Sequence, residues 1–484
     1  MAKEKVSIDW QPDKKAEQPV YQQIIEYICQ KISSGDWALG SFLPSQRELS
    51  DIWQVNRSTV SSALAELKSY GLIATAFGQG SKIVSNTWSL LLPIKTPNWH
   101  SYMHNSIFKA NQPTIQIINQ LEFQKEYLRL GTGEPDPALF PQASLAAVLK
   151  KMASSITQLN YLAPLGLEDL RRTLAERLKE QGIKASPNSI LITSGSLQAL
   201  QLISLSLLPP GEAIFTEAPS YLKSLQVFQS AGIKLKGIPQ DDQGIKYWLL
   251  NKEKNGKLIY TIPNFHNPTG ILMSEKRRQE LLQFCQQKRL PIIEDDTYGE
   301  LWFDSPPPPS LKSRDKYGTV LYLGTISKTL APGLRLGWVI GPESVIQRLG
   351  DIKMQTDYGA SSVSQHILNE FILSGLYDKH LAFIRRELKK KRDNALSALK
   401  KYFTGLADWS IPSGGFYIWL QLNKELPWDK LFELALKEKI LLNPGSLYDF
   451  KANSFLRLSY SYCSLEEFNS AVKRLAAVIN SYTP

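Results

Sequence analysis

Thr325, Ser327 and Lys328 sit together at the end of an apolar run, residues 320–323, and Arg335 follows seven residues after the lysine. A lysine at the mouth of a buried strand is partly desolvated, which lowers its pKa and frees the amine lone pair for Schiff-base chemistry. Hydroxyls and a guanidinium are the groups that hold a phosphate. One amine beside a phosphate cradle suggests pyridoxal 5'-phosphate (PLP). By itself the same stretch also reads as a solvated charge in a turn, so the rest of the chain decides.

The elements around it are informative. Short apolar runs at 190–193, 213–215, 258–262, 291–294 and 338–340 alternate with helical patterns, which predicts an α/β domain with a mainly parallel sheet. Ligands of such sheets bind at the carboxyl ends of the strands. Ser194, Gly195 and Ser196 end the first run and open a helix, as a phosphate site or an ordinary N-cap does. The second run leads to Tyr221, placed either to stack on a ring or to fill core. Asn267 stands before a proline like a turn residue, with His266 beside it as a packing residue. Glu294, Asp295 and Asp296, followed by Tyr298, suit a metal site or a solvated loop alike.

The 484 residues suggest more than one domain, and 43% hydrophobic content allows a large core. Three dispersed cysteines (Cys29, Cys285, Cys463) argue against a disulfide framework or a zinc site and fit a reducing cytoplasm. The start, MAKEKVSIDW, lacks the apolar core of a signal peptide, and no apolar run of about 20 residues is present to span a membrane. A formal charge of +11 makes nucleic acid a natural partner.

After a polar lead, residues 19–32 carry Val20, Ile24, Ile25, Ile28 and Ile32 at helical spacing. Ser45 with Glu48 three residues on predicts a capping box. A helix opening near Asn56 follows, stopped by Gly71, and then two short strands around Gly78 and Gly80. This is the order of a winged helix-turn-helix, in which Asn56, Arg57, Ser58 and Thr59 are placed to meet base edges and phosphates. Residues 17–87 nevertheless contain one more acid than base, so the positive excess lies elsewhere. Residues 88–126 read as a connector whose aromatics (Trp88, Trp99, Tyr102, Phe108) pack on a neighbouring surface. Residues 127–484 form the large domain. Within it, the basic run at 385–401 suits a solvated helix face or a second DNA-contacting surface.

Two resemblances add to this. Residues 17–87, with Leu43-Pro44-Ser45, Arg47, Val55-Asn56-Arg57, Thr59-Val60 and Gly71, resemble the GntR-type DNA-binding domain. The resemblance implies DNA contacts from Arg47, Arg57, Ser58, Thr59 and the wing glycine Gly78. From about Leu130 onward, the ordered strand-end motifs resemble the fold-type I PLP enzymes of the aspartate aminotransferase superfamily. That likeness implies the following roles. Lys328 forms the internal aldimine. Asp295 pairs with the pyridinium nitrogen. Asn267 and Tyr298 bond the phenolic oxygen, and Tyr221 stacks on the ring. Ser194, Gly195, Ser196, Thr325, Ser327 and Arg335 hold the phosphate. Tyr161 reaches the partner subunit's phosphate, and Arg457 clamps a substrate α-carboxylate.

The two domains in this order resemble the MocR subfamily of GntR regulators, whose dimer is domain-swapped and head to tail. The resemblance implies a PLP-dependent transcription regulator that binds double-stranded operator DNA and senses PLP, an amine or an amino acid. A working aminotransferase with an auxiliary N-terminal domain, and a PLP reservoir or sensor, are the alternatives. A complete aldimine-forming set favours the aminotransferase, and Arg457 favours a carboxylate-bearing ligand over PLP alone.

Overall fold

The computed structural model describes residues 5–76, 80–85, 111–153, 160–253, 256–424 and 426–482. The chain divides into two compact units, Met1–Lys109 and Ala110–Pro484. The linker aromatics Trp88, Trp99, Tyr102 and Phe108 and the wing residue Gly78 lie outside the described residues.

In the first unit α1 (Val20–Ser33), α2 (Gln46–Trp53) and α3 (Arg57–Ser69) precede a hairpin of β1 (Ile73–Ala76) and β2 (Gly80–Ile83). This is the winged helix-turn-helix expected from sequence. Ile24, Ile28 and Ile32 recur on one face of α1 and are buried with Leu49, Trp53, Val60, Leu64 and Leu67. The capping box is formed: the Ser45 hydroxyl accepts the Glu48 N–H at 3.2 Å, and the Glu48 carboxylate accepts the Ser45 N–H at 2.7 Å. Asn56 caps α3 by accepting the Ser58 N–H at 3.0 Å. Gly71, at φ +69°, lets the chain leave α3 in a left-handed turn.

The polar lead is part of this unit. Val6, Ile8 and Trp10 pack on the helical core, and Trp10 stacks on Tyr27 at 4.7 Å. Residues 5–14 run beside α2: Lys5 pairs with Glu48 at 2.8 Å, Gln11 donates to the Ile52 carbonyl at 2.6 Å, and Lys14 to the Gln54 carbonyl at 2.7 Å.

The second unit opens with the helix Pro113–Leu121, followed by β3 (Leu128–Arg129), and is built on an eight-stranded sheet. Its strands are β4 (Ile190–Thr193), β5 (Ala213–Ala218), β6 (Lys234–Asp241), β7 (Gly244–Ile245), β8 (Gly256–Thr261), β9 (Ile292–Asp295), β10 (Val320–Thr325) and β11 (Gly337–Ile340). Their spatial order is β4-β11-β10-β9-β8-β5-β6-β7. β6, β5, β8, β9 and β10 are parallel; β11 runs antiparallel to both β10 and β4, so β4 points the same way as β10. β4, β9, β10 and β11 are buried along their whole length, and most of β5 and β8 is too, which is why they appear in the sequence as continuous apolar runs. β6 is half-exposed and carries Lys234 and Lys236, so it gives no such run.

A second, antiparallel sheet has the order β12-β13-β16-β15. It comprises β12 (Ala407–Trp409), β13 (Tyr417–Leu422), β15 (Asn443–Pro444) and β16 (Phe455–Ser459), while β14 (Ile440–Leu441) pairs with β3.

The basic run lies on the long helix Leu376–Tyr402; Arg386, Lys390, Lys400 and Lys401 are exposed, while Arg385, Lys391 and Arg392 are turned inward. Arg385 donates to the Glu300 carbonyl at 2.6 Å and covers the Trp302 ring. Lys391 pairs with Asp136 at 2.7 Å and donates to the Cys463 carbonyl at 2.6 Å. Arg392 donates to the Pro412 carbonyl at 2.6 Å and covers Phe303. Lys389 pairs with Asp304. These cations hold the helix to its neighbours.

Candidate functional site

β4, β5, β8, β9 and β10 point in one direction, so Ser194, the 217–221 turn, Asn267, Asp295 and Lys328 come together at one edge of the sheet. Hydrophobic packing along the strands thus gathers residues separated by more than a hundred positions.

Lys328 follows the end of β10, half-buried, and its Nζ donates to the Gly133 carbonyl at 2.6 Å. Burial brings its pKa down to about 8, with Arg457 and Arg335 adding to the drop and Glu134 opposing it. Asp295 ends β9 and is buried. Its carboxylate accepts from the Tyr260 hydroxyl at 2.7 Å and from the Thr297 N–H and hydroxyl at 3.1 and 2.5 Å. Burial raises its pKa, against those donors and the nearby Lys328 charge.

The neighbouring acids have structural partners. Glu294 accepts the N–H groups of Leu311 and Lys312, each at 2.8 Å. Asp296 accepts from Asn264 at 2.5 Å and from the Tyr322 hydroxyl at 2.7 Å. Glu217, at the end of β5, accepts from the Thr261 hydroxyl and the Ile262 N–H. Its other oxygen lies 3.9 Å from His266 Nε2, and neither atom has another partner among the described residues. Burial raises Glu217 to about 7 and lowers His266 to about 3, so at neutral pH the imidazole is uncharged.

Arg335 is in the left-handed region at φ +51° and its Nη2 donates to the Ser194 carbonyl at 3.0 Å. Gly195, at φ +86°, begins the helix Ser196–Ser206; a Cβ there would come within 2.9 Å of Arg335 Nη2. The Thr325 hydroxyl is engaged with the Leu336 carbonyl at 2.8 Å and the Ser327 hydroxyl at 3.0 Å, so it also orients its neighbour. Tyr221 stands at the amino end of the next helix, Leu222–Ser230, half-buried, with its phenol pKa raised by burial.

Arg457 on β16 is buried between two rings, 4.2 Å from the centroid of Tyr417 and 4.4 Å from that of Tyr448. It donates to Asn267 Oδ1 at 2.8 Å and to the Gly131 carbonyl at 2.5 Å, and its Nε has no partner among the described residues. Tyr298 and Tyr417 join hydroxyls at 2.9 Å. Asn267, Tyr298 and Arg457 therefore form one connected group.

Tyr161 stands apart from this cluster. It is 80% exposed and packs against Tyr358 at 5.1 Å.

In the first unit Arg47, Arg57 and Ser58 are exposed at the amino ends of α2 and α3, and Thr59 is half-buried. Neither arginine makes an ion pair with another described residue. Asn56 has its side-chain oxygen engaged as the α3 cap, accepting from the Ser58 N–H and hydroxyl at 3.0 Å each.

Tyr260, Tyr417, Tyr448 and the carbonyls of Gly131 and Gly133 complete the site and carry no sequence signal of their own. Tyr260 and Tyr417 sit in apolar stretches where core packing is the plainer reading, Tyr448 sits in a loop-like stretch, and a carbonyl has no residue type.

Comparison with known proteins agrees with this geometry. The family model for bacterial regulatory proteins of the gntR family matches residues 20–83, and that for aminotransferase class I and II matches residues 125–475. The uncharacterized HTH-type transcriptional regulator YisV of Bacillus subtilis is 48% identical over 96% of this chain and 97% of its own length. The HTH-type transcriptional regulator NorG of Staphylococcus aureus is 35% identical over 90% of this chain and 98% of its own. Among solved structures, the kynurenine aminotransferase of Pyrococcus horikoshii superposes with a TM-score of 0.73 at 33% identity, over 77% of this chain and 95% of that one. The multiple substrate aminotransferase of Thermococcus profundus gives 0.74 at 30% identity, over 79% and 98%. A class I and II aminotransferase fold implies PLP. No described helix is long and apolar enough to cross a membrane. A winged helix-turn-helix joined to an aminotransferase-like domain, in a chain similar over nearly its whole length to HTH-type regulators, places it in a family: the chain belongs to the GntR-family transcriptional regulators of the MocR type.

Proposed function

We propose that this cytoplasmic regulator binds PLP at Lys328 and reads PLP, an amine or an amino acid there, altering how its winged helices engage operator DNA. The observation that carries the reading is the Lys328 amine, with its pKa near 8, set among a buried carboxylate and a helix amino terminus beside Arg335. These residues fit PLP. Arg335, Gly195, Ser194, Ser196 and Ser327 suit the phosphate, with Thr325 holding Ser327. Asp295 suits the pyridine nitrogen, Tyr221 the ring face, and Asn267 with Tyr298 the phenolic oxygen. Bound PLP supplies an aldehyde and an electron-withdrawing ring.

The chain's own groups do the rest. Tyr260 and Thr297 donate to Asp295, favouring the carboxylate that keeps a proton on a ring nitrogen. Arg457, fixed between Tyr417 and Tyr448, suits an α-carboxylate, which would compete with Asn267 and Gly131 for its donors. Arg47, Asn56, Arg57, Ser58, Thr59 and Gly78 would meet DNA. A head-to-tail, domain-swapped dimer would bring Tyr161 to the partner's phosphate, in keeping with its exposure here. A ligand moves such a protein only through different affinities for its two states.

Gel-shift assays on the promoter region of the chain's own gene, with and without PLP and a panel of amines, test the proposal. A sequence-specific shift whose midpoint moves with ligand supports it; no specific shift under any condition overturns it. The intact set around Lys328 also favours amino-group transfer to a 2-oxo acid. Half-reactions that stall with every amino acid would remove that second reading.

A further inference from the structure

Ser194 lies in the turn that the PLP reading assigns to the phosphate, and both of its backbone groups are held. Its carbonyl accepts from Arg335 Nη2 at 3.0 Å, and its N–H donates to Gln198 Oε1 at 2.7 Å. Gln198 is fixed in turn from behind. Its Oε1 also accepts from Lys353 Nζ at 2.8 Å, and its Nε2 donates to Asp357. Lys353 gives its remaining donors to Asp357, at 2.7 and 2.8 Å.

The Lys353 side chain is 1% exposed, against 30% for Asp357. Burying an ammonium is costly unless it is paired and fully hydrogen-bonded, and a hydrophobic side chain of the same length would pack at no such cost. All three Lys353 donors are engaged inside the protein, so it does not itself reach a ligand. What the ion pair does is remove the freedom of the Gln198 amide. Without it the amide can turn over, presenting its NH2 to the Ser194 N–H and leaving that donor buried and unpaired. The Ser194 peptide, Gly195 at φ +86° and the amino end of the helix Ser196–Ser206 would then lose their fixed aim.

We infer that Lys353 and Asp357, acting through Gln198, are positioning residues for the phosphate cradle; the inference rests on the PLP reading above. They preorganise a set of backbone donors for a dianion. Their contribution is therefore confined to ligands that carry the phosphate.

The test uses the full chain freed of cofactor and titrated with PLP and with pyridoxal, which lacks the phosphate, following absorbance and tyrosine or tryptophan fluorescence. Lys353→Met and Gln198→Met are compared with the parent, each checked for an unchanged thermal transition before ligand is added. The expected result is a loss of PLP affinity of about tenfold or more, the effect of one charge-assisted hydrogen bond, with pyridoxal affinity unchanged. Equal losses for both ligands, or no loss for PLP, overturn the inference. If Lys353→Met does not fold, Gln198→Met decides alone, because it leaves the Lys353–Asp357 pair in place. A parent that binds neither ligand refutes the PLP reading itself and takes the inference with it.

Discussion

Lys328 Nζ and the Gly133 carbonyl oxygen meet at 2.6 Å, and two residues earlier the Gly131 carbonyl accepts from Arg457 at 2.5 Å. Two cations of the site, Lys328 and Arg457, are thus tied to one short segment. Capture of an aldehyde by Lys328 removes one donor, and a carboxylate at Arg457 competes for the other. Carbonyls that lose their partners weaken the packing of the segment. Amide hydrogen exchange across residues 130–134, followed by mass spectrometry, should therefore quicken when PLP and an amino acid are added. Unchanged or slower exchange would show that the segment stays locked.

The pH dependence of cofactor capture follows from the lysine. Its pKa is near 8, below the ordinary value for a lysine, so the neutral, nucleophilic amine becomes the major form above that pH. The rate of PLP uptake by the cofactor-free protein should rise between about pH 7 and 9 and then level off. Arg335→Ala removes a neighbouring positive charge and should move the midpoint upward. A profile that keeps climbing past pH 10 would mean a lysine titrating normally.

Glu217 makes a stability prediction of the opposite sign. Its folded pKa, about 7, lies above that of the unfolded chain, and Asp295 adds to the rise while His266 stays uncharged. The stability it contributes is complete below the unfolded pKa and is lost as pH climbs to about 7. Glu217→Gln keeps the shape without the titration. The variant should gain on the parent at pH 8, by up to roughly 3 kcal/mol, and the gap should close toward pH 4. A gap independent of pH in thermal or urea unfolding would contradict this.

Arg57 and Asn56 are neighbours with different expected phenotypes. Arg57→Ala should leave the winged helix as stable as before and weaken operator binding by about 1–3 kcal/mol. Asn56→Ala removes the α3 cap and should lower unfolding stability by about 1 kcal/mol. Paired gel-shift and unfolding measurements separate the two; equal effects on both readouts would show that the cap and the contact are not separable.

The strand-end residues were legible because each group is contiguous in sequence and bounded by an apolar run: Ser194 to Ser196, Asn267, Asp295 to Tyr298, and Thr325 to Lys328. The helix-turn-helix was legible because Ser45, Glu48, Asn56 and Gly71 act within one or two turns of their own position. The rest depends on distant pairing. Arg457 stands out as a cation, but the rings that hold it come from β13 and from Tyr448, and only the folded sheet joins them. Val6, Ile8 and Trp10 alternate at a spacing of two, a strand-like pattern too short to stand out from a polar lead. The capping role of Asn56 was not legible because a cap and a DNA contact call for the same side chain. Among the cations at 385–401, the inward contacts of Arg385, Lys391 and Arg392 were not legible because charge alone does not reveal a carbonyl or a ring beneath it.

The inward-facing cations of the helix Leu376–Tyr402 have a consequence for binding in salt. Counterions leave DNA in proportion to the phosphates that are touched, whatever formal charge a protein carries. Lys391, Arg392 and Arg385 are committed to Asp136, Pro412 and Glu300, and so release no ions from a duplex. Those three cations should therefore add nothing to the ionic-strength dependence of operator binding, which is left to exposed residues such as Arg47 and Arg57. In a crowded genome that restraint limits loose, sequence-blind adhesion and leaves recognition to the groove.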